Sequence, residues 1–357
     1  MASLPLHEDD WKYVQTLLPS DLEESARSAK ALLRCRNVPD AAALIRMALA
    51  YAVSDLSLKD VAAWASALDV AQITGPGLFY RLREAERWLE RVLGQVLADQ
   101  VPQAAGGWPV RAVDATVING PGKKRIQWRA HVQIDPSTGA FRAVELTDDS
   151  GGEKLARHHF RAGEVVLGDR AYATARGIHS VRQADAHVIV RFNPGNLRTC
   201  DEQRRRVHLA DREAEIPVVG AVEYNVMIPV PPKPTKSHKI RDSAKAIDWI
   251  PARALAARTR AAEVIWILTT LDAHQMPAIA VMGLYRLRWQ IELLFKRLKS
   301  LLHLDTLPSR EGPTAKSWML ARLIAAGLAQ RLVRPSGPLS PWGYELRSPA
   351  RAEPAHA

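Results

Sequence analysis

The sequence predicts an α/β protein in which a helical N-terminal region precedes a mixed core. Residues 21–100 are rich in alanine and leucine, and their apolar residues recur at helical spacing. From about residue 103 the pattern changes to short apolar runs separated by turn residues, which is typical of strands. The chain has 357 residues and is 47% hydrophobic, enough for two or three domains with sizeable cores. We therefore expect helices over 1–102 and a mixed core after them.

The N-terminal region contains a segment, 56–89, that allows two interpretations. An apolar stretch is followed by the turn GPG at 75–77 and then by the basic run LFYRLREAERWL. This order fits a helix-turn-helix whose basic second helix enters a DNA major groove. It fits equally a plain helical bundle with a solvated charged face, and the sequence leaves both open.

The core begins with three strand-like runs, WPVRAVDATVIN, RIQWRAHVQID and AFRAVELT, which we expect to pair in an antiparallel way. A helical stretch (GEKLARHHF), an apolar strand (EVVLGDRAY), a helix near 174–184 and the strand HVIVRF follow. Three strands, helix, strand, helix, strand is the order of a ribonuclease-H-like α/β core. We assign the first part of this core to 103–192.

The remainder of the chain predicts an insertion, the second part of the core and a tail. Residues 193–262 are polar and basic, with strand-like RRRVHLA and VEYNVMIPV, and we expect a β-rich inserted subdomain there. Residues 263–334 contain the strand VIWILTT, a long helix over 276–302 and another over 314–333. Residues 335–357, rich in proline, arginine and alanine, are expected to be disordered.

The charge of the chain favours a polyanionic partner. Lys and Arg number 49 against 38 Asp and Glu, a net charge of +11, and each phosphate that binds a cation releases counterions. A membrane surface would also suit this charge, but the sequence has no uninterrupted apolar run long enough to span a bilayer, and it starts without a secretory signal pattern. We expect a cytoplasmic protein without membrane contact.

The two cysteines and eleven histidines do not suggest a thiol or zinc site. Cys35 and Cys200 are far apart in the chain and form no CxxC pair. The histidines lack the spacing of zinc ligands. Any catalytic metal would therefore be held by oxygen atoms.

Two aspartates lie within or directly after apolar strands, at positions that predict function. Asp114 lies inside VRAVDATVI, and Asp169 ends the run VVLGD. An unpaired buried carboxylate is expensive, and α/β folds place ligands at the carboxyl ends of strands. A strand-end aspartate that caps a turn is the alternative for each alone, but two on one sheet favour a site.

Glu292 lies in the predicted long helix together with basic and aromatic residues. At about 100° per residue, Tyr285, Arg288, Glu292 and Lys299 fall on one helix face. The alternative is an ordinary surface pair between Glu292 and Lys296, one helical turn apart.

These motifs together resemble a known family. The spacing Tyr285-x2-Arg288-x3-Glu292-x6-Lys299, preceded by VDAT and GDRAY, resembles the signature of bacterial insertion-sequence transposases of the DDE class, in the IS-four-like group, over roughly 56–341. The resemblance implies that Asp114, Asp169 and Glu292 are catalytic ligands of two divalent cations, Mg²⁺ or Mn²⁺. Such ions activate an attacking oxygen and stabilise the leaving one.

The resemblance also implies the DNA contacts and the reaction. Arg288, Lys299 and Tyr285 would contact phosphates, and Trp266 would stack on an extruded base, unless it is an ordinary core tryptophan. The DNA partners would be double-stranded terminal inverted repeats and target DNA, bound by a homodimer at the nucleoid. Nicking at the 3′ end, hairpin formation and strand transfer would follow in one site.

Two other functions fit the same residues. The protein could be a structure-selective nuclease of ribonuclease-H-like fold, which would give no strand-transfer products. It could instead be a truncated, non-catalytic DNA-binding regulator of transposition, an interpretation favoured by the short segment after the last predicted helix. The intact Asp114, Asp169 and Glu292 set favours the transposase.

Overall fold

The fold is mixed α/β, as predicted. The computed structural model describes residues 8–33, 35–54, 56–98, 108–119, 127–148, 150–218, 220–232, 246–259, 263–302, 307 and 312–332. The predicted disordered tail and residues 233–245 of the predicted insertion lie outside the described residues. None of the described helices is both long and apolar enough to cross a bilayer.

The described part of residues 8–98 is helical. Its helices are α1 (Glu8–Leu17), α2 (Leu22–Ser28), α3 (Ala41–Val53), α4 (Leu58–Ala67), α5 (Gly75–Glu84) and α6 (Glu86–Ala98). Polar caps define several of the helix starts, because a side-chain oxygen satisfies a free backbone N–H there. Ser57 and Asp60 form a reciprocal capping box at α4, and Thr74 caps α5. Helices α4 and α5 pack against each other, an arrangement that both interpretations of 56–89 allow.

The described strands of the core form a ten-stranded sheet. Its strands are β1 (Val110–Asn119), β2 (Gln127–Ile134), β3 (Phe141–Asp148), β4 (Val165–Gly168), β5 (His187–Arg191), β6 (Thr199–Cys200), β7 (Arg206–Val207), β8 (Ala221–Val230), β9 (Asp248–Arg258) and β10 (Val264–Thr269). The spatial order is β3-β2-β1-β4-β5-β10-β9-β8-β6-β7. Strands β1 to β3 are antiparallel neighbours, whereas β1, β4 and β5 run parallel. The helix α7 (Ala175–Arg182) connects β4 to β5.

The predicted insertion is rich in strands, and these strands continue the sheet of the core. Strand β10 pairs in an antiparallel way with β5 on one side and with β9 on the other, and β8 follows β9. The prediction of a strand over RRRVHLA was largely wrong, because only Arg206 and Val207 pair and a 3₁₀ helix covers Leu209–Glu215. The charged side chains around this segment are mostly exposed, so burial does not favour a longer strand there.

Two helices predicted in the core differ from the structure. Over GEKLARHHF only a 3₁₀ turn forms, at Leu155–Arg157. Leu155 is the one fully buried apolar side chain of this stretch, so little burial offsets the entropy cost of a longer helix. The predicted long helix is α8 (Ala278–Tyr285), a 3₁₀ turn at 286–288 and then α9 (Trp289–Leu302). Tyr285, Arg286 and Trp289 keep right-handed helical torsion angles, so the tightened turn is a local adjustment.

The two faces of the sheet bury different helices. Strand residues such as Ala112, Val132 and Ile267 share a core with α9, α10 (Gly312–Leu332) and the N-terminal helices. On the opposite face, Val113 and Val166 pack with the apolar side of α7. Helix α10, which we assigned to the core, packs closely against α3, α5 and α6. The N-terminal helices α3, α5 and α6 and the last described helix therefore pack together on one face of the sheet.

Candidate active site

Asp114 lies within β1 on the face that packs against α9. Its neighbours on the same face, Ala112 and Ile118, are fully buried, and Asp114 is partly buried. The Oδ1 atom accepts a hydrogen bond from the Ala115 backbone N–H at 2.8 Å. Burial, with a smaller contribution from the negative charge of Asp169, raises the pKa of Asp114 to about 7. The positive charge near this carboxylate therefore does not compensate its negative charge fully.

Asp169 follows the last residue of β4 and stands beside Asp114. Strands β1 and β4 are parallel neighbours in which Ala112 pairs with Leu167, and each aspartate lies two residues beyond its member of this pair. The carboxylates therefore extend from the same level of adjacent strands, which are about 4.8 Å apart in a sheet. Asp169 also begins a 3₁₀ turn, because its Oδ1 accepts from the Ala171 backbone N–H at 2.9 Å.

Glu292 lies in the first turn of α9, which packs against β1. Its carboxylate forms an ion pair with Arg288, while Lys296 is exposed. Among the described residues, then, Glu292 pairs with Arg288 and not with Lys296, contrary to the surface-pair alternative.

Arg288 links the helix to the strand carboxylates. Its side chain is only 16% exposed, and its guanidinium lies 5.8 Å from the centre of the Tyr285 ring. Burial works against the charge, but Tyr285, Glu292 and Asp114 outweigh it and raise the pKa of Arg288. The same cation lowers the pKa of Asp114, although burial dominates there. The structure thus brings Tyr285, Arg288, Glu292, Asp114 and Asp169 into one electrostatic cluster.

The other two predicted residues lie outside this cluster. Lys299 is in the last turn of α9, partly exposed, and no contact with the three carboxylates is described. Trp266 on β10 is only 3% exposed, with its ring about 6 Å from those of Phe192 and Tyr224. Trp289, directly after Arg288, is instead 50% exposed. The sequence signal for Trp289 was its position between Arg288 and Glu292 of the signature spacing.

Glu153 is a further carboxylate of the site that the sequence did not single out. Burial and the charge of Asp169 raise the pKa of Glu153, and Arg129 opposes this. Glu153 also contributes to the raised pKa of Asp114. The signal available in the sequence was the stretch LTDDSGGEKLARHHF, in which Glu153 lies.

The donor atoms at this site are carboxylate oxygens, which suit hard divalent cations. Within the described ranges, no three Asp, Glu, His or Cys side chains are arranged so that they could hold a metal ion together. The neighbouring Asp114 and Asp169 offer two ligands at one level of the sheet. Glu292 would complete the set once its carboxylate is released from Arg288.

Comparison with known proteins identifies the family. Residues 106–328 match the family model described as "Transposase DDE domain". The chain is 35% identical over 351 residues to the "Putative transposase InsL for insertion sequence element IS186A" of Escherichia coli (strain K12), covering 92% of this chain and 95% of that protein. It is 35% identical over 352 residues to the "Transposase for insertion sequence element IS421" of Escherichia coli, with the same coverage.

A solved structure also shares a general similarity with this chain. The cryo-EM structure of the piggyBac transposase synaptic complex with hairpin DNA superimposes with a TM-score of 0.48 and 9% identity, covering 87% of this chain and 66% of that one. The family assignment depends on the sequence matches. The chain belongs to the DDE transposases of bacterial insertion sequences.

Proposed function

We propose that this transposase moves its element by metal-dependent cut-and-paste chemistry, with Asp114, Asp169 and Glu292 as the catalytic triad in a ribonuclease-H-like core. The observation that carries the proposal is the matched position of Asp114 and Asp169 on adjacent parallel strands, with α9 and its Glu292 packed against β1. Nicking at the 3′ end, hairpin formation and strand transfer would all use this site.

Two divalent cations, Mg²⁺ or Mn²⁺, would be held by the three carboxylates. When bound, such a pair activates the attacking oxygen and stabilises the leaving oxygen of a phosphoryl displacement. The raised pKa of Asp114 supports a cation at this position, because burial and Asp169 leave its negative charge poorly compensated. Asp114 and Asp169 hold their oxygens in place through the backbone N–H groups of Ala115 and Ala171.

Arg288 would exchange partners when DNA binds. In the free protein its guanidinium pairs with Glu292. A DNA phosphate offers the same guanidinium a comparable charge-assisted hydrogen bond and leaves Glu292 free to act as a ligand. Tyr285, against the same guanidinium, and Lys299, in the last turn of α9, would contact neighbouring phosphates.

The role of Trp266 in base stacking has less support. Its burial between Phe192 and Tyr224 favours the core role, so a base could reach it only if this packing opened. Trp289, half-exposed beside Arg288, offers an accessible aromatic surface.

The partners follow from this chemistry. Double-stranded DNA at the terminal inverted repeats and at the target would be the substrates, and a homodimer would join two ends in the synaptic complex. The net charge of +11 supports binding to DNA phosphates. The site of action would be the nucleoid in the cytoplasm.

The test is cleavage and joining of DNA that carries the inverted repeats flanking the gene. Asp114→Asn, Asp169→Asn and Glu292→Gln should each abolish cleavage while binding of the ends, measured by gel shift, is retained. Asp211→Asn makes the same charge change at an exposed position and should cleave like the parent.

The outcomes separate the three functions. Cleavage and strand-transfer products together support the transposase with this triad. Cleavage without joining would favour the structure-selective nuclease. End binding without cleavage in either Mg²⁺ or Mn²⁺ would favour the regulator, and undiminished cleavage by Asp169→Asn would refute the triad.

A further inference from the structure

A cavity of about 440 Å³ lies on the face of β2 and β3 turned away from α9. Along β2, His131 and Gln133 alternate with Ala130, Val132 and Ile134, which face the helical side, so both polar side chains face the cavity. The opposite wall is the segment 157–161. At the rim, His159 and Arg161 are exposed and the Glu145 side chain is 47% exposed, so the cavity opens to solvent.

Several polar atoms that line this cavity are buried and unpaired. They are Nε and Nη1 of Arg142, Nε2 of Gln133 and Nδ1 of His131. His131 is fully buried, Gln133 is 5% exposed and the Arg142 side chain is 6% exposed. A buried donor or acceptor without a partner costs about 1–3 kcal/mol, and native proteins leave few of them. Four such atoms around one cavity require a partner that the described side chains do not supply.

The hydrogen bonds of His131 define what its free nitrogen can do. His131 Nε2 lies 3.0 Å from the Thr147 hydroxyl oxygen, and that hydroxyl donates its own proton to the Asp148 carbonyl. With that proton directed to Asp148, the Thr147 oxygen is placed to accept from an Nε2–H of His131. Burial and the nearby Arg157 lower the pKa of His131 to about 4, so the ring is neutral and Nδ1 is a bare acceptor.

The charges around the cavity favour a small anion. Arg142 donates to Asp135 at 2.8 Å, Arg157 pairs with Glu145, and Arg111 pairs with Glu164 at 2.7 Å. Arg161, on the rim, adds a fourth arginine to the lining, whereas the lining carboxylates are only Glu145 and Glu164. After these pairings a small excess of positive charge remains.

We propose that this cavity binds a phosphate group that carries a proton, either inorganic phosphate or the terminal phosphate of a nucleic-acid strand. The N–H groups of Arg142 and Gln133 donate to its ionised oxygens, and its P–OH group donates to His131 Nδ1. Sulfate has the same shape but no proton at neutral pH, so one of its oxygens would face the His131 lone pair. The site lies on the opposite face of the sheet from α9 and does not depend on the proposed triad.

Calorimetric titration of the full chain near pH 6, where inorganic phosphate carries a proton and a terminal phosphate carries one about half of the time, tests this proposal. Inorganic phosphate should bind saturably. Sulfate should bind with an affinity at least about tenfold lower, because one hydrogen bond is replaced by a repulsive contact. Gln133→Glu turns a donor into an anion and should abolish phosphate binding. Gln183→Glu makes the same charge change at an exposed position and should leave binding unchanged.

Melting temperatures show whether Gln133→Glu folds. If it does not, side-chain ¹⁵N NMR of the parent protein gives the answer, since phosphate and not sulfate should shift the His131 ring nitrogens. Tighter binding of a short 5′-phosphorylated oligonucleotide than of its 5′-hydroxyl form would support a strand end as the ligand, and binding of inorganic phosphate alone would support the free anion. Equal affinity for phosphate and sulfate, or binding unaffected by Gln133→Glu, would mean an adventitious ion only and would overturn the proposal.

Discussion

Arg253 on β9 donates a hydrogen bond of 2.7 Å from Nη2 to the carbonyl of Met276, so a strand of the insertion holds the loop that leads into α8. Its Nε donates to the Leu271 carbonyl at 2.7 Å, and its Nη1 pairs with Glu223 at 3.0 Å. The side chain is 5% exposed. One buried guanidinium therefore connects the insertion to the start of the helix that carries Tyr285.

Replacement of Arg253 by methionine should loosen this loop. Two buried carbonyls lose their partner, and we expect a loss of about 2–4 kcal/mol in the free energy of unfolding. Urea denaturation measures the loss, and hydrogen exchange over 271–277 should rise. Glu223→Gln leaves both carbonyl bonds intact and should cost less than about 1 kcal/mol. Equal losses in the two variants would contradict the anchoring role.

Asp114→Asn should stabilise the protein above neutral pH. The raised pKa means that the folded state holds a proton that the unfolded state releases, so the parent loses stability as the pH rises from 3.8 to about 7. The amide removes this penalty, and we expect a gain of about 2–4 kcal/mol at high pH that vanishes near pH 4. Denaturation across this range measures it. A variant that is less stable than the parent at every pH would contradict the prediction.

His158 should make stability depend on pH in the opposite direction. Burial, with the nearby His131 and Arg157, lowers its pKa to about 4, so between pH 6.5 and 4 the unfolded state takes up a proton that the folded state refuses. The parent loses about 2 kcal/mol from this ring as the pH falls through that range. His158→Gln should reduce this loss, as measured by denaturation. The exposed His208→Gln is the control, and identical pH profiles for both variants would refute the assignment.

The two tryptophans should separate stability from DNA contact. Trp266→Ala removes a buried ring and should cost about 3–5 kcal/mol, whereas Trp289→Ala removes a half-exposed one and should cost about 1 kcal/mol or less. Thermal melting measures the loss of stability in both variants. Hairpin formation on DNA that carries the element's ends measures the loss of DNA contact. We expect Trp289→Ala to fold but to form less hairpin. Normal hairpin yield from Trp289→Ala would exclude it as the contacting aromatic.

The sequence predicted the parts of the fold and site that depend on local patterns. The apolar runs that contain Asp114 and end at Asp169 predicted both strands, and the spacing around Glu292 predicted a helix packed on the core. The matched level of the two aspartates depends on the register between β1 and β4, which no local pattern contains. The stretch around Glu153 was available in the sequence, but the proximity of Glu153 to Asp169 was not, because only the folded chain brings them together.

Burial was the property that the sequence predicted least well. Trp266 lies in the apolar run VIWILTT and Trp289 stands between Arg288 and Gln290, and neither setting fixes the exposed fraction, which is 3% for Trp266 and 50% for Trp289. The position of α10 is likewise a tertiary property, since its sequence fits a helix of the core as well as a helix packed against the N-terminal helices. Its ion pair with α6, between Lys316 and Glu86 at 2.8 Å, joins residues far apart in sequence.

The packing of α10 also sets an order of events during synthesis. A ribosome releases α3, α5 and α6 long before α10, yet these helices share their apolar faces with it. Domains generally fold as units while the chain is made, and exposed apolar surface in an unfinished chain is prone to aggregate. The faces of these helices that contact α10 therefore stay uncovered until the last described helix has been made. An interrupted translation product that ended before residue 312 would leave the faces of α5 and α6 uncovered, even with Asp114, Asp169 and Glu292 already in place.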